Sequence, residues 1–136
     1  MLSHTAYRRV LYAETDKMGY LYHGHYITYY EVGRVELFRS IGLSYKDMED
    51  RLGIIMPVMS LQSRFLRPAT YDERIAIKTE MRKMPESDVT IHCELFNEND
   101  QLINQGSVKL CFINAQSLER AEAPSAWLNP IKPYFD

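Results

Sequence analysis

Apolar and polar residues change period twice along this chain. Tyr7 to Ala13 mixes β-branched, aromatic and basic residues in the manner of a strand. It runs into Glu14-Thr15-Asp16-Lys17-Met18-Gly19, a polar stretch that reads as a loop closing on glycine. From His25 to Ile41 the period becomes helical. Tyr26, Tyr30, Gly33, Leu37 and Ile41 recur at steps of three and four, with Ile27, Arg34 and Phe38 in an adjoining row. That band is wider than one stripe, so the helix is expected to be covered on most sides. Glu31 and Arg34 stand three apart and are expected to neutralise each other. Gly33 at mid-helix costs roughly 1 kcal/mol relative to alanine, which close approach to a sheet would explain. Gly42 is a good helix stop. A second, shorter helix, Ser44 to Arg51, has serine as its cap and ends at Gly53.

After Gly53 the alternation is that of strands. Ile54 to Arg67 is a long strand with a bulge expected near Pro57, followed by a turn at Pro68 to Asp72. Glu73 to Lys83, Asp88 to Phe96 and Leu102 to Ile113 follow, with turns at Met84 to Ser87 and Asn97 to Asp100. The tail, with Pro124, Pro130 and Pro133, holds at most a short helix. One strand, one covered helix and four strands joined by short turns predict an α+β fold. In it a curved antiparallel five-stranded sheet wraps around one long central helix. The short turns favour a meander into which the first strand inserts. Covering the helix on nearly every side requires something at the open edge, and a second copy of the chain is the economical candidate.

Composition narrows the class. The 136 residues suit a single domain spanning 1–136. A net charge of -2 argues against a nucleic-acid surface. No apolar run approaches transmembrane length, and no leader is legible at the N-terminus. Cys93 and Cys111 sit in separate strands, with Cys93 opposite a position near Gln105. They read as buried free thiols in a reducing compartment, the cytoplasm. Ten tyrosines, five of them between Tyr20 and Tyr30, suit either a pocket, an interface or an aromatic core.

The candidate chemistry lies in Asp16-Lys17-Met18-Gly19-Tyr20-Leu21-Tyr22-His23-Gly24-His25-Tyr26, a carboxylate in a loop that feeds a helix start. The first amides of a helix lack acceptors and carry the positive end of its dipole. They can therefore hold the oxygen of a thioester carbonyl as it becomes negative. A nearby carboxylate can attack the carbon or activate water, and thiolate leaves without a strong general acid. Spacing alone equally allows Asp16 to be a turn-former. His23, His25 and Asp16 are suitable metal-ligand types, but two histidines at i, i+2 across a helix start point apart, so no metal is expected. Arg64, Arg67, Lys83 and Lys109 are candidates for a patch facing CoA phosphates, or simply solvated strand ends.

The block from Tyr12 to Arg34 resembles the signature of the 4-hydroxybenzoyl-CoA thioesterase family of hotdog fold, especially its short bacterial acyl-CoA thioesterases. That pattern is a strand, Asp, two residues, Gly, two more, Tyr-His, and then Asn-Tyr opening the central helix. Arg64-Phe65-Leu66-Arg67-Pro68-Ala69 with Tyr71-Asp72-Glu73 resembles the family's strand–Pro–turn–acidic junction. The resemblance implies hydrolysis of an acyl-CoA or acyl-carrier-protein thioester, with no cofactor beyond the CoA of the substrate. It implies Asp16 as nucleophile or base, His23 as the backbone N–H on the carbonyl, and Gly24 as the close approach into the helix. Tyr22, Tyr26, Tyr30, Met59 and Leu61 are then expected around the acyl group, and Arg64 and Arg67 toward the CoA. A homodimer, with dimers pairing into a tetramer, is expected. His25 departs from the pattern, standing where the family has asparagine as helix cap. The rival readings are a hotdog 3-hydroxyacyl-thioester dehydratase and a non-catalytic thioester-binding module.

Overall fold

The computed structural model describes residues 1–136. Five long strands, β1 (Leu2–Arg9), β3 (Val58–Phe65), β4 (Arg74–Met81), β5 (Asp88–Phe96) and β6 (Leu102–Asn114), form an antiparallel sheet in the order β1-β4-β5-β6-β3. Two-residue pieces, β2 (Ile54–Ile55) and β7 (Arg120–Ala121), pair with the far end of β6. The helix α1 (Tyr26–Arg39) lies against β1, β4 and β5. The second helix, α2 (Tyr45–Leu52), is capped by the Ser44 hydroxyl accepting from the Asp47 amide at 3.3 Å, and it ends at Gly53 in the left-handed region. A short α3 (Ser125–Leu128) closes the tail. The expected sheet around one helix is what the chain forms.

Alternation supplies the core. Ile75, Ile77, Thr79 and Met81 on β4, and Val89, Ile91, Cys93 and Leu95 on β5, point inward, while their neighbours face out. All of these except the buried, polar Thr79 join α1 in one cluster of 26 buried apolar residues. Gly33 permits the contact, because a Cβ there would overlap the Thr79 hydroxyl and approach Ile77. Both cysteines are free and buried, and Cys93 pairs across to Gly106, next to the expected Gln105.

Four expectations need correction. The first strand starts at Leu2 and ends at Arg9, not Ala13. Polar Ser3, His4 and Thr5 hide its start, and the Glu14 carboxylate ends it by taking the Leu11 amide into a 3-10 turn. The sequence between Ile54 and Arg67 is two strands, broken at Met56-Pro57 where the bulge was expected. The meander fails at Pro68 to Asp72, since β3 and β4 lie three places apart in the sheet. That segment crosses the end of the fold and contacts the Asp16 loop, with Ala69 accepting from the Leu21 amide at 2.8 Å and Thr70 bridging Tyr20, while the Asp72 amide donates to the Val10 carbonyl at 2.9 Å. Glu31 and Arg34 do not pair: Glu31 is solvent-facing, whereas Arg34 is buried with Nε and Nη1 unpartnered.

Candidate active site

The loop before α1 is built by Asp16. Its Oδ1 accepts the amides of Met18 at 2.9 Å and Tyr20 at 3.2 Å. Its carbonyl takes the Gly19 amide at 2.9 Å, and its own amide donates to the Tyr20 carbonyl at 2.8 Å. Gly19 completes this turn at φ +81°, where a side chain would be strained. Asp16 is therefore a turn-former through one carboxylate oxygen, while Oδ2 takes no donor from the protein. The two readings left open by the spacing are compatible.

After the loop, His23–His25 form a 3-10 turn that runs directly into α1, with the Tyr26 amide bonded to the His23 carbonyl. His25 accordingly makes no side-chain cap, and needs none. The helical path begins at Tyr22, which is extended, so the amides of His23 and Gly24 are the ones without an acceptor inside the helix. The Tyr22 ring folds over Gly24, 2.9 Å from where a Cβ would stand, so a side chain there would push this exposed ring aside.

Asp16, Met18, Tyr20, Leu21, His23 and Tyr26 from this side, and Phe65, Leu66, Arg67 and Pro68 from the end of β3, enclose a cleft of about 330 Å³. Phe65 stands edge-on to Tyr26 with ring centroids 5.0 Å apart, and 6.4 Å from the His23 ring. Burial raises the Tyr26 hydroxyl above the ordinary tyrosine value, and the charges of Glu73 and Asp16 add to the effect. Tyr26 therefore stays a neutral phenol beside the carboxylate.

Of the sequence-derived residues, Asp16, His23, Tyr26 and Arg67 meet at this cleft, with Gly24 beside it in the turn. The others lie elsewhere. Tyr22 is exposed and packs on His23 with centroids 4.3 Å apart. Tyr30, one helical turn beyond Tyr26, is buried, with its hydroxyl on Ser63 at 2.8 Å and on Asn104. Met59 and Leu61 sit on β3 away from the cleft, Leu61 four residues and about 13 Å of strand before Phe65. Arg64 alternates to the outer sheet face, in a groove with Arg82, His92 and Glu94. Met18, Tyr20, Leu21, Phe65, Leu66 and Pro68 also line the cleft, although none of them is among the site residues expected from the sequence. Phe65 shares its strand face with Leu61, so the face was legible but the position along it was not.

These elements agree with known proteins. Residues 10–131 match the model of the thioesterase-like superfamily. A DHNA-CoA thioesterase structure from Staphylococcus aureus superposes with a TM-score of 0.92 at 32% identity, over 98% of this chain and 91% of that one. The acyl-CoA thioester hydrolase YbgC of Escherichia coli is 25% identical over 125 residues, 91% of this chain and 92% of that protein. YneP of Bacillus subtilis, provisionally named an acyl-CoA thioesterase, is 40% identical over 70 residues, so this chain spans about half (50%) of its length. With the Asp16 loop, the extended helix start and the sheet wrapped around α1 all in place, the chain belongs to the thioesterase-like superfamily and has its hotdog fold.

Proposed function

We propose that this protein hydrolyses acyl-CoA thioesters to the free acid and CoA, with Asp16 as the reacting carboxylate. The observation that carries the reading is one cleft lined both by Asp16, whose Oδ2 has no protein donor, and by His23, at the start of the helical path. The thioester carbonyl lies against the His23 and Gly24 amides, which stabilise its oxygen as charge develops. Asp16 supplies the attack, on the carbonyl carbon itself or by taking the proton of an attacking water. By direct attack the C–S bond breaks to leave an acyl anhydride on Asp16 and CoA thiolate, and water then cleaves the anhydride to the free acid and restores the carboxylate. By the base route the water oxygen bonds the carbonyl carbon and the C–S electron pair leaves with CoA thiolate. The proton held by Asp16 then passes to that thiolate. Tyr26, Phe65 and Leu66 give the acyl group an apolar wall, and Arg67 at the same cleft is the cation nearest to hand for the CoA side. No cofactor takes part.

We also propose that the protein is a homodimer joined along β3. This strand is exposed along its length, with Val58, Met59 and Leu61 uncovered and one backbone edge unpaired, a template for a second copy. Two free thiols support a reducing compartment, the cytoplasm. No helix is long and apolar enough to cross a membrane.

A panel of aliphatic and aromatic acyl-CoAs, followed with a thiol reagent, tests the activity. Burial pushes the Cys93 thiol up to about 11 and Cys111 is buried, so the folded protein adds little to the signal. Release of CoA from at least one substrate is expected. Binding without release across the panel would contradict the reading, and release from acyl-carrier protein alone would move the substrate. Sedimentation of the Leu61→Asp variant, expected to be monomeric, tests the interface.

A further inference from the structure

Glu14 stands two residues before Asp16 and outside the cleft, only 5% exposed. Its Oε1 accepts the Leu11 amide at 2.8 Å and the Tyr29 hydroxyl at 2.8 Å, and its Oε2 accepts from Arg8 Nη2 at 2.7 Å. The Arg8 guanidinium also lies 4.9 Å from the centroid of the Tyr29 ring. One buried carboxylate thereby ties together β1, the 3-10 turn after it, and α1. Its backbone does a second job. The Glu14 carbonyl accepts the Tyr22 amide at 2.9 Å, and Thr15 bridges Leu21. Residues 15–21 are therefore a closed loop whose neck is the Glu14–Tyr22 bond. Asp16 is inside that neck, and the amides of His23 and Gly24 are immediately beyond it.

A cap for a 3-10 turn would need only the Leu11 bond. The bond to Tyr29 has a different consequence, because Tyr29 belongs to the helix whose start holds those amides. Burial first, then the bond to Glu14, raise the Tyr29 hydroxyl well above the tyrosine range, so it is a donor at any working pH. We propose that Glu14 and Tyr29 form a positioning pair, which fixes the separation between the Asp16 carboxylate and the amides at the helix start. The proposal rests on the reading of Asp16 as the reacting carboxylate. Groups of a reacting constellation must be held within about 0.5 Å, and a misplacement of about 1 Å costs on the order of 100-fold in rate.

Tyr29→Phe keeps the ring and removes one donor, so it carries the test even if Glu14→Gln, which sets an amide N–H against a donor, fails to fold. Acyl-CoA turnover in Tyr29→Phe is expected to fall in kcat by roughly tenfold or more, with KM within about threefold of wild type. In an Asp16→Asn background the same substitution should lower the residual rate no further, because the two act as a unit. An unchanged kcat accompanied only by a lower melting temperature overturns the proposal. So does a loss that recurs in full on top of Asp16→Asn. Wild-type turnover in Asp16→Asn alone would instead overturn the role of Asp16, and the positioning role would fall with it.

Discussion

At its C-terminal end α1 is closed by rings. Phe38 lies 4.5 Å from Trp127 between centroids, Trp127 5.6 Å from Phe112, and Phe38 5.4 Å from Tyr45. Trp127, Phe38 and Phe112 have almost no exposed surface. At its N-terminal end the same helix is open. Tyr22 and Phe65 remain exposed, the loop is shaped by hydrogen bonds with Leu21 its one residue in the core, and a cleft separates it from the end of β3. The two ends divide the work. One supplies apolar burial, and the other leaves amides and a carboxylate accessible where chemistry needs them, as binding and reacting groups do when loops are placed on a rigid scaffold.

The sharpest way to break that division is to damage each end in turn. Trp127→Ala empties the closed end and should destabilise the protein by about 3–5 kcal/mol, measured by urea unfolding, while the folded fraction keeps its turnover. A comparable loss of turnover in the folded fraction would show that the two ends are not independent. Phe65→Ala at the open end should do the reverse. Half of its surface is already in water (52% exposed), so stability should change little. Loss of its contact with the acyl group should raise KM by roughly tenfold, equivalent to about 1.4 kcal/mol.

Tyr45 gives the smallest effect and a pH test. Burial raises its hydroxyl to about 12 from 10.0, partly offset by Arg34. A raised value in the folded state means that the folded protein binds the proton more tightly. The associated stability is therefore complete below the ordinary value and lost as pH rises from there toward the raised one. The hydroxyl is buried near Arg34 but makes no well-formed hydrogen bond, so Tyr45→Phe should be neutral to stabilising by about 1 kcal/mol at pH 7. It should also flatten part of the alkaline fall in denaturant midpoint.

The closed end and the sheet were legible in the sequence to the extent that local rules govern them. Ser44 and Gly53 bound α2 because capping is local, and Asn97 to Asp100 turns because the Asn97 side chain accepts the amides of Asn99 and Gln101. The loop and Asp16 were legible for the same reason. What escaped depends on distant pairing. Pro68 to Asp72 has the composition of a hairpin turn, yet its Ala69 carbonyl takes the Leu21 amide of the Asp16 loop and its Asp72 amide donates to Val10 after β1. Tyr22, Tyr30, Met59, Leu61 and Arg64 carry suitable chemistry, but where each side chain ends depends on strand alternation and helix rotation relative to elements far away in the chain. Glu14 passed as one polar loop residue, because nothing local announces that Arg8 and Tyr29 converge on it.

The central claim is that Asp16 reacts while its second role, in shaping the loop, is separable. Asp16→Asn tests this directly, because the asparagine side-chain oxygen can still accept the Met18 and Tyr20 amides. Measured on the best acyl-CoA of the panel, CoA release should fall by on the order of 100-fold or more, with the thermal unfolding curve unmoved. Turnover equal to wild type in a folded Asp16→Asn protein would contradict the account.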